Sequence, residues 1–190
     1  MARWEPGARE RLVIAAVDLF TEQGYDATTV TQIAERAGVT KSTFFRHFPD
    51  KRELLAAGQE TLSRLLAEGI SEAPDSATPL EAVGAGLERA SNAMGPMNRE
   101  LAPRIKAAID ANSELQQRDA LKNVGLAAAM TDALRTRGVP DATARLASEL
   151  GVLAFKQGYA QWLQAREDAA LAPYTLAALE DLRAASRSLT

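Results

Sequence analysis

Hydrophobic residues recur along this chain at intervals of three and four, and no run alternates with the period of two that a half-buried strand needs. The pattern predicts an all-α protein. Leu12, Ala15, Ala16, Leu19 and Phe20 share one face, which places a first helix over 6–23 with Pro6 in its opening turn. Gly24 is its expected stop, clasped by Tyr25. A second helix opens at Thr28 or Thr29, with Thr29 and Gln32 at capping-box spacing, and its apolar face is Val30, Ile33, Ala34 and Ala37. Gly38 ends that helix, and a short third one runs from Thr40 to about Phe48. Pro49 blocks any continuation, and Asp50 with Glu53 reads as the cap of a fourth helix reaching Ser71 through Leu54, Leu55, Leu62, Leu65 and Leu66. After a loop over 73–79, the periodicity predicts helices over about 79–94, 97–111, 113–137, 141–167 and 173–188, with Asp141 as a further cap. That makes about nine helices in all.

The segment from Thr28 to Leu54 is the most specific stretch of the chain. Two short helices that cross steeply need a small residue at the crossing, a turn free of β-carbon strain and a miniature apolar core. Ala34 meets the first need, Gly38 the second, and Ile33, Ala37, Val39 and Phe44 the third. These features spell a helix-turn-helix. Thr40 caps its second helix and leaves the first amides facing outward, suited to a phosphate or a base edge.

A DNA-reading surface follows from the positions left over. Lys41, Ser42 and Thr43 form the first turn of the recognition helix, the part that enters a major groove. Phe45 is positioned to lie against the sugar–phosphate backbone. Arg46, His47 and Lys51 are placed to meet phosphates, as are Thr28 and Thr29 at the start of the second helix. The bland alternatives are solvated charges and, for His47, an ordinary surface histidine. The formal net charge of −3 disfavours nucleic acid, but its distribution softens the objection. Residues 1–52 carry +1 and the remainder −4, and five cations fall between Arg36 and Arg52 against Asp50 alone. Screening confines such a patch to about 10 Å, so a locally basic face on an acidic chain still attracts phosphate.

The string LFTEQGYDATTVTQIAERAGVTKSTFFRHFPDKREL closely resembles the DNA-binding domain of the TetR family of regulators. The likeness lies in the Gly-Tyr after the first helix, the Thr-Thr-Val, the Ile-Ala-Glu-x-Ala-Gly-Val and the Phe-x-x-Lys-x-x-Leu. Phe45 departs from the family's usual tyrosine, and the hydroxyl that would bond a phosphate is missing. The resemblance implies a helix-turn-helix DNA-binding domain over 1–52 and a helical ligand-binding and dimerisation domain over 53–190. It implies a homodimeric repressor on a palindromic operator in double-stranded DNA, released by a small apolar effector. By the same analogy 141–167 and 173–188 pair with their copies. A mostly apolar stripe at Leu146, Leu150, Leu153, Gln157 and Ala160, and another at Leu176, Leu179, Leu182 and Ala185, agree with burial, though a stripe alone does not separate a dimer seam from an internal core. The stretches 98–134 and 155–163 resemble, more loosely, a subclass named for acyl-CoA-like ligands.

Met94, Met97, Met130, Phe155, Tyr159 and Trp162 are the candidates for lining an effector pocket, with simple core packing as the alternative. The chain has one histidine and no cysteine, so neither a metal site nor a cofactor is expected. With no nucleophile elbow and no phosphate-cradling glycine loop, an enzyme is not expected either. No stretch approaches about 18 consecutive apolar residues and the first residues lack a signal-peptide core, so the expected location is cytoplasmic, away from membranes.

Overall fold

The computed structural model describes residues 7–54, 58–166 and 168–188, with Pro96 by its backbone alone. Among them are nine α-helices and no strand: α1 (Ala8–Gln23), α2 (Val30–Arg36), α3 (Lys41–His47), α4 (Gln59–Glu72), α5 (Pro79–Asn92), α6 (Pro96–Asp110), α7 (Ser113–Thr136), α8 (Asp141–Gln164) and α9 (Ala172–Arg187). The all-α expectation holds, and each helix except α4 lies close to its predicted span. Pro6 and Leu55, assigned from sequence to the first and fourth helices, lie outside the described residues, as does position 167 at the expected end of the eighth.

The chain forms two compact units. The first comprises residues 1–57 and 100–121, the second residues 58–99 and 122–190. In the first, α1, α2 and α3 bury Leu12, Ala16, Phe20, Ile33, Ala34, Phe44 and Phe48 in one core. Leu115 of α7, 1% exposed, belongs to the same core, with Ala108 and Ile109 of α6 packed beside it.

Asp50 does not start the fourth helix. Its Oδ1 accepts from the backbone N–H of Arg52 at 2.8 Å and of Glu53 at 3.3 Å, which closes a single 3-10 turn over Lys51–Leu54. The carboxylate of Glu53 does not return to Asp50; Arg118 takes it through two bonds of 2.7 and 2.8 Å. α4 begins only at Gln59, preceded by Gly58 in the left-handed region at φ 90°.

In the second unit α5 packs on α4, α8 and α9, and α8 packs along α9. Thr78 and Glu81 form a reciprocal capping box at the start of α5, with Pro79 in the first turn. Leu66, Ile70, Val83, Leu87, Met130 and Leu134 are fully buried between these helices. α8 and α9 come together at Gly158, where an added β-carbon would lie 2.5 Å from the Cα of Thr175. A buried bond of 3.0 Å between the hydroxyls of Ser91 and Thr175 ties α5 to the same crossing. Asp141 is not the cap expected of it: Pro140 holds the cap position of α8, and Arg135 occupies the Asp141 carboxylate. That guanidinium holds the Asp141 carboxyl below its usual range.

Candidate nucleic-acid interface

The approach to α3 is built by a succession of helix caps. α1 stops where the N–H of Gly24 donates to the Phe20 carbonyl, and the ring of Tyr25 then packs edge-on against Phe20 with centroids 5.2 Å apart. Thr29 accepts from Gln32 N–H while the Gln32 side chain returns to Thr29 N–H at 2.8 Å, the capping box read from the sequence. α2 ends as Arg11 of α1 donates its Nε to the Ala37 carbonyl at 3.1 Å. Gly38 then takes φ 66°, a conformation that costs an L side chain about 1 kcal/mol or more, and lets Val39 N–H reach back to the Ala34 carbonyl at 2.9 Å. Thr40 caps α3 by accepting from Thr43 N–H at 3.1 Å.

α3 is thereby fixed with one face inward and one face outward. Phe44 is fully buried, with Phe48 stacked at a tilt beside it and the Arg9 guanidinium 5.2 Å from the Phe48 ring centre. Lys41, Ser42, Phe45 and Arg46 point to solvent, Phe45 with 49% of its surface exposed. Thr43 is half-buried, its hydroxyl 3.0 Å from that of Thr40. His47 is half-buried as well, and its Nε2 is buried without a hydrogen-bond partner among the described residues.

Two of the residues assigned from sequence to phosphate contact are turned inward. Thr28 is 1% exposed and donates its hydroxyl to the Gly24 carbonyl at 2.7 Å. Lys51 donates its Nζ to the carbonyls of Tyr25 at 2.8 Å and Thr28 at 3.1 Å. Thr29 stays at the surface, engaged with Gln32.

The five cations of this segment therefore divide. Arg36 pairs with Glu22 through bonds of 2.9 and 2.8 Å, and the pairing holds the Glu22 carboxyl below its usual range. Arg52 pairs with Asp50 and Glu114, lowering the Asp50 carboxyl in the same way. Lys51 is held by carbonyls. Lys41 and Arg46, both on the outer face of α3, have no hydrogen bond or ion pair among the described residues. An arrangement of this kind offers a short capped helix two unneutralised cations, a hydroxyl and an exposed ring, the inventory needed to engage both phosphate and base edges.

Residues 12–57 match the family model described as "Bacterial regulatory proteins, tetR family". Over this N-terminal segment the chain is similar to the TetR family. It is 37% identical over 75 residues to the HTH-type transcriptional regulator TcmR of Streptomyces glaucescens, covering 40% of this chain and 33% of that one. The chain thus spans about a third of that relative's length. Solved structures extend the likeness to the fold of the whole chain. The SmeT–triclosan complex superposes with a TM-score of 0.59 at 24% identity, covering 94% of this chain and 90% of that chain. FadR of Thermus thermophilus, a TetR-family repressor in complex with lauroyl-CoA, superposes with a TM-score of 0.52 at 23% identity, covering 90% and 91%. Regulators, not enzymes, stand among these relatives.

The six residues assigned from sequence to a pocket divide in the second unit. Met130 is buried in the helical core, where its Sδ would lie 3.1 Å from a β-carbon on Gly151. Met94 packs at the core's edge, as does Phe155, while Met97 is half-buried. Phe155, Tyr159 and Trp162 form a contiguous run along α8, with centroids 5.8 and then 5.4 Å apart. Burial pushes the Tyr159 phenol up to about 12. An open groove of about 640 Å³ in the first unit runs between Phe20, Tyr25 and Ala27 and the α6 residues Pro103, Ala107 and Ala111. Its polar rim is already paired, Arg104 with Asp18 and Asn112 with Asp26. Among the described residues no cluster of metal-ligating side chains is present, and no helix is long and apolar enough to cross a membrane.

Proposed function

We propose that this chain is a cytoplasmic, ligand-responsive transcriptional repressor that binds a palindromic operator as a homodimer. The observation that carries this reading is α3. It is capped, anchored by Phe44 and Phe48, and bears the two unpaired cations of the basic segment on its outer face. Lys41, Ser42 and Phe45 meet base edges or the backbone, Arg46 a phosphate, and Thr29, Thr40, Thr43 and His47 border the contact. Thr28 and Lys51 act from inside by holding the turn that sets α2 and α3. The head takes residues 1–52, and the helical body takes 53–190.

Dimerisation through α8 and α9 is supported by apolar side chains that remain uncovered on α8. Leu146 is 64% exposed and Leu153 41%, one above the other at a spacing of seven residues. A twofold axis through this seam brings two recognition helices to half-sites about 34 Å, one helical turn, apart or a multiple of it. The effector enters the helical body near the aromatic run on α8 and binds one disposition of the heads better than the other, which shifts DNA affinity by that difference.

Selection of the purified protein on random double-stranded DNA tests the reading. Enrichment of an inverted repeat is expected. Enrichment of no palindrome marks a helical binding module whose DNA function has lapsed.

A further inference from the structure

One cation of the second unit is only partly accounted for by packing. Arg99 stands in the first turns of α6. Its Nη2 donates to the carbonyl of Ala165, the residue that caps the C-terminus of α8, where unsatisfied carbonyls carry partial negative charge. Its guanidinium carbon lies 5.0 Å from the centre of the Trp162 ring. Its Nη1 is buried and meets no acceptor among the described residues. The surrounding polar atoms are already spent. Tyr159 donates its hydroxyl to the Asn98 carbonyl at 3.2 Å, and Trp162 donates its indole N–H to the Ala169 carbonyl at 2.7 Å.

A buried N–H of a cation without an acceptor is costly, and a guanidinium makes its strongest hydrogen bonds to carboxylates. The flat faces beside it are aromatic, suited to an apolar chain or ring. We propose that Arg99 selects the head group of the effector: the ligand is an amphiphilic monocarboxylate, with one carboxylate oxygen accepting from Arg99 Nη1 and its apolar part lying along Tyr159 and Trp162. This rests on the reading that the body takes an apolar effector at the aromatic run. It adds the sign of the charge and the residue that reads it.

The test uses the full chain carrying Trp4→Phe, which leaves Trp162 as the only indole. Quenching of its fluorescence is titrated with n-alkanoates and with n-alkanols of equal length. The alkanoate is expected to bind about tenfold more tightly or better than the alkanol, the factor a charge-assisted hydrogen bond supplies. Arg99→Gln removes that preference and leaves alkanol affinity in place, and Arg99→Lys restores part of it. A purely structural role for Arg99 would weaken both ligands alike and leave their ratio unmoved, which overturns the assignment. Equal binding of alkanol and alkanoate by the parent chain also overturns it while leaving the apolar site standing. Binding of neither overturns both readings. Thermal melts of each variant confirm that a folded chain is being compared.

Discussion

The Nζ of Lys51 donates to the carbonyl of Tyr25 and lies 4.1 Å from the centre of the same residue's ring, 26 positions earlier in the chain. One ammonium thereby ties the 3-10 turn after α3 to the bend between α1 and α2. Replacing it with methionine, which keeps the stem and loses the donors, is expected to lower the stability of the head by about 1.5–3 kcal/mol. That is the worth of a single hydrogen bond from a charged group, because solvent exposure of the half-buried ammonium discounts its two bonds. Thermal unfolding reads that loss. The salt dependence of DNA binding should stay as it is in the parent, and a slope reduced by about 1 would instead put Lys51 on a phosphate.

Lys41 and Arg46 are expected to behave in the opposite way. Alanine at either position should flatten the salt dependence by about 1 in logarithmic slope while leaving the melting temperature nearly unchanged. Arg36→Ala is the control, because its guanidinium is already neutralised by Glu22. Equal slopes in all three variants would remove α3 from the DNA surface.

Leu146 and Leu153 supply a test of the dimer that does not pass through DNA. Glutamate at both positions places two charges on the exposed face of α8 and replaces no buried residue. Sedimentation should move from dimer to monomer, with operator affinity falling alongside. A variant that stays dimeric would move the interface elsewhere.

Gly158→Ala is expected to destabilise the body by about 1–3 kcal/mol, the usual cost of forcing atoms into a packed site. The obstacles are backbone atoms of Thr175, which no rotamer change can move aside. Chemical denaturation reads the loss. A neutral outcome would mean that α8 and α9 slide apart at little cost.

The phenol of Tyr159 gives a pH signature. Because burial raises its folded-state value to about 12, the folded chain keeps a proton between about 10 and 12 that the unfolded chain has released. The stability that this neutral phenol supports is complete below about 10 and is lost as pH rises through about 12. Denaturant midpoints should fall across that window in the parent and fall less steeply in Tyr159→Phe. Parallel slopes would show that the ring is not protected.

Much of this arrangement was legible in the sequence because it is local. Thr29 with Gln32, Thr78 with Glu81 and Thr40 with Thr43 are contacts over three positions, and residue type with spacing predicts them. Phe44 and Phe48 declare themselves inward by helical spacing. The fate of the charges was not legible, since Arg36 meets Glu22 across 14 positions and Lys51 meets Tyr25 across 26. A lysine that caps a bend and a lysine that grips a phosphate look the same in a string of letters. The late start of α4 was hidden for another reason: Gly58 falls inside an otherwise helical pattern, and only its positive φ shows that the helix begins behind it. Arg99 gave no signal at all, because its meaning depends on what its second nitrogen fails to meet.

Leu115 has a consequence for how such proteins are recombined. The core of the first unit is closed by a side chain from α7, more than fifty residues beyond the 3-10 turn that follows α3. A fragment ending at residue 57 would expose that socket, and a chimaera that grafts 1–57 onto a foreign body inherits whatever residue its host has at this place. Moving this unit with its core intact therefore means carrying two separate stretches of the chain together.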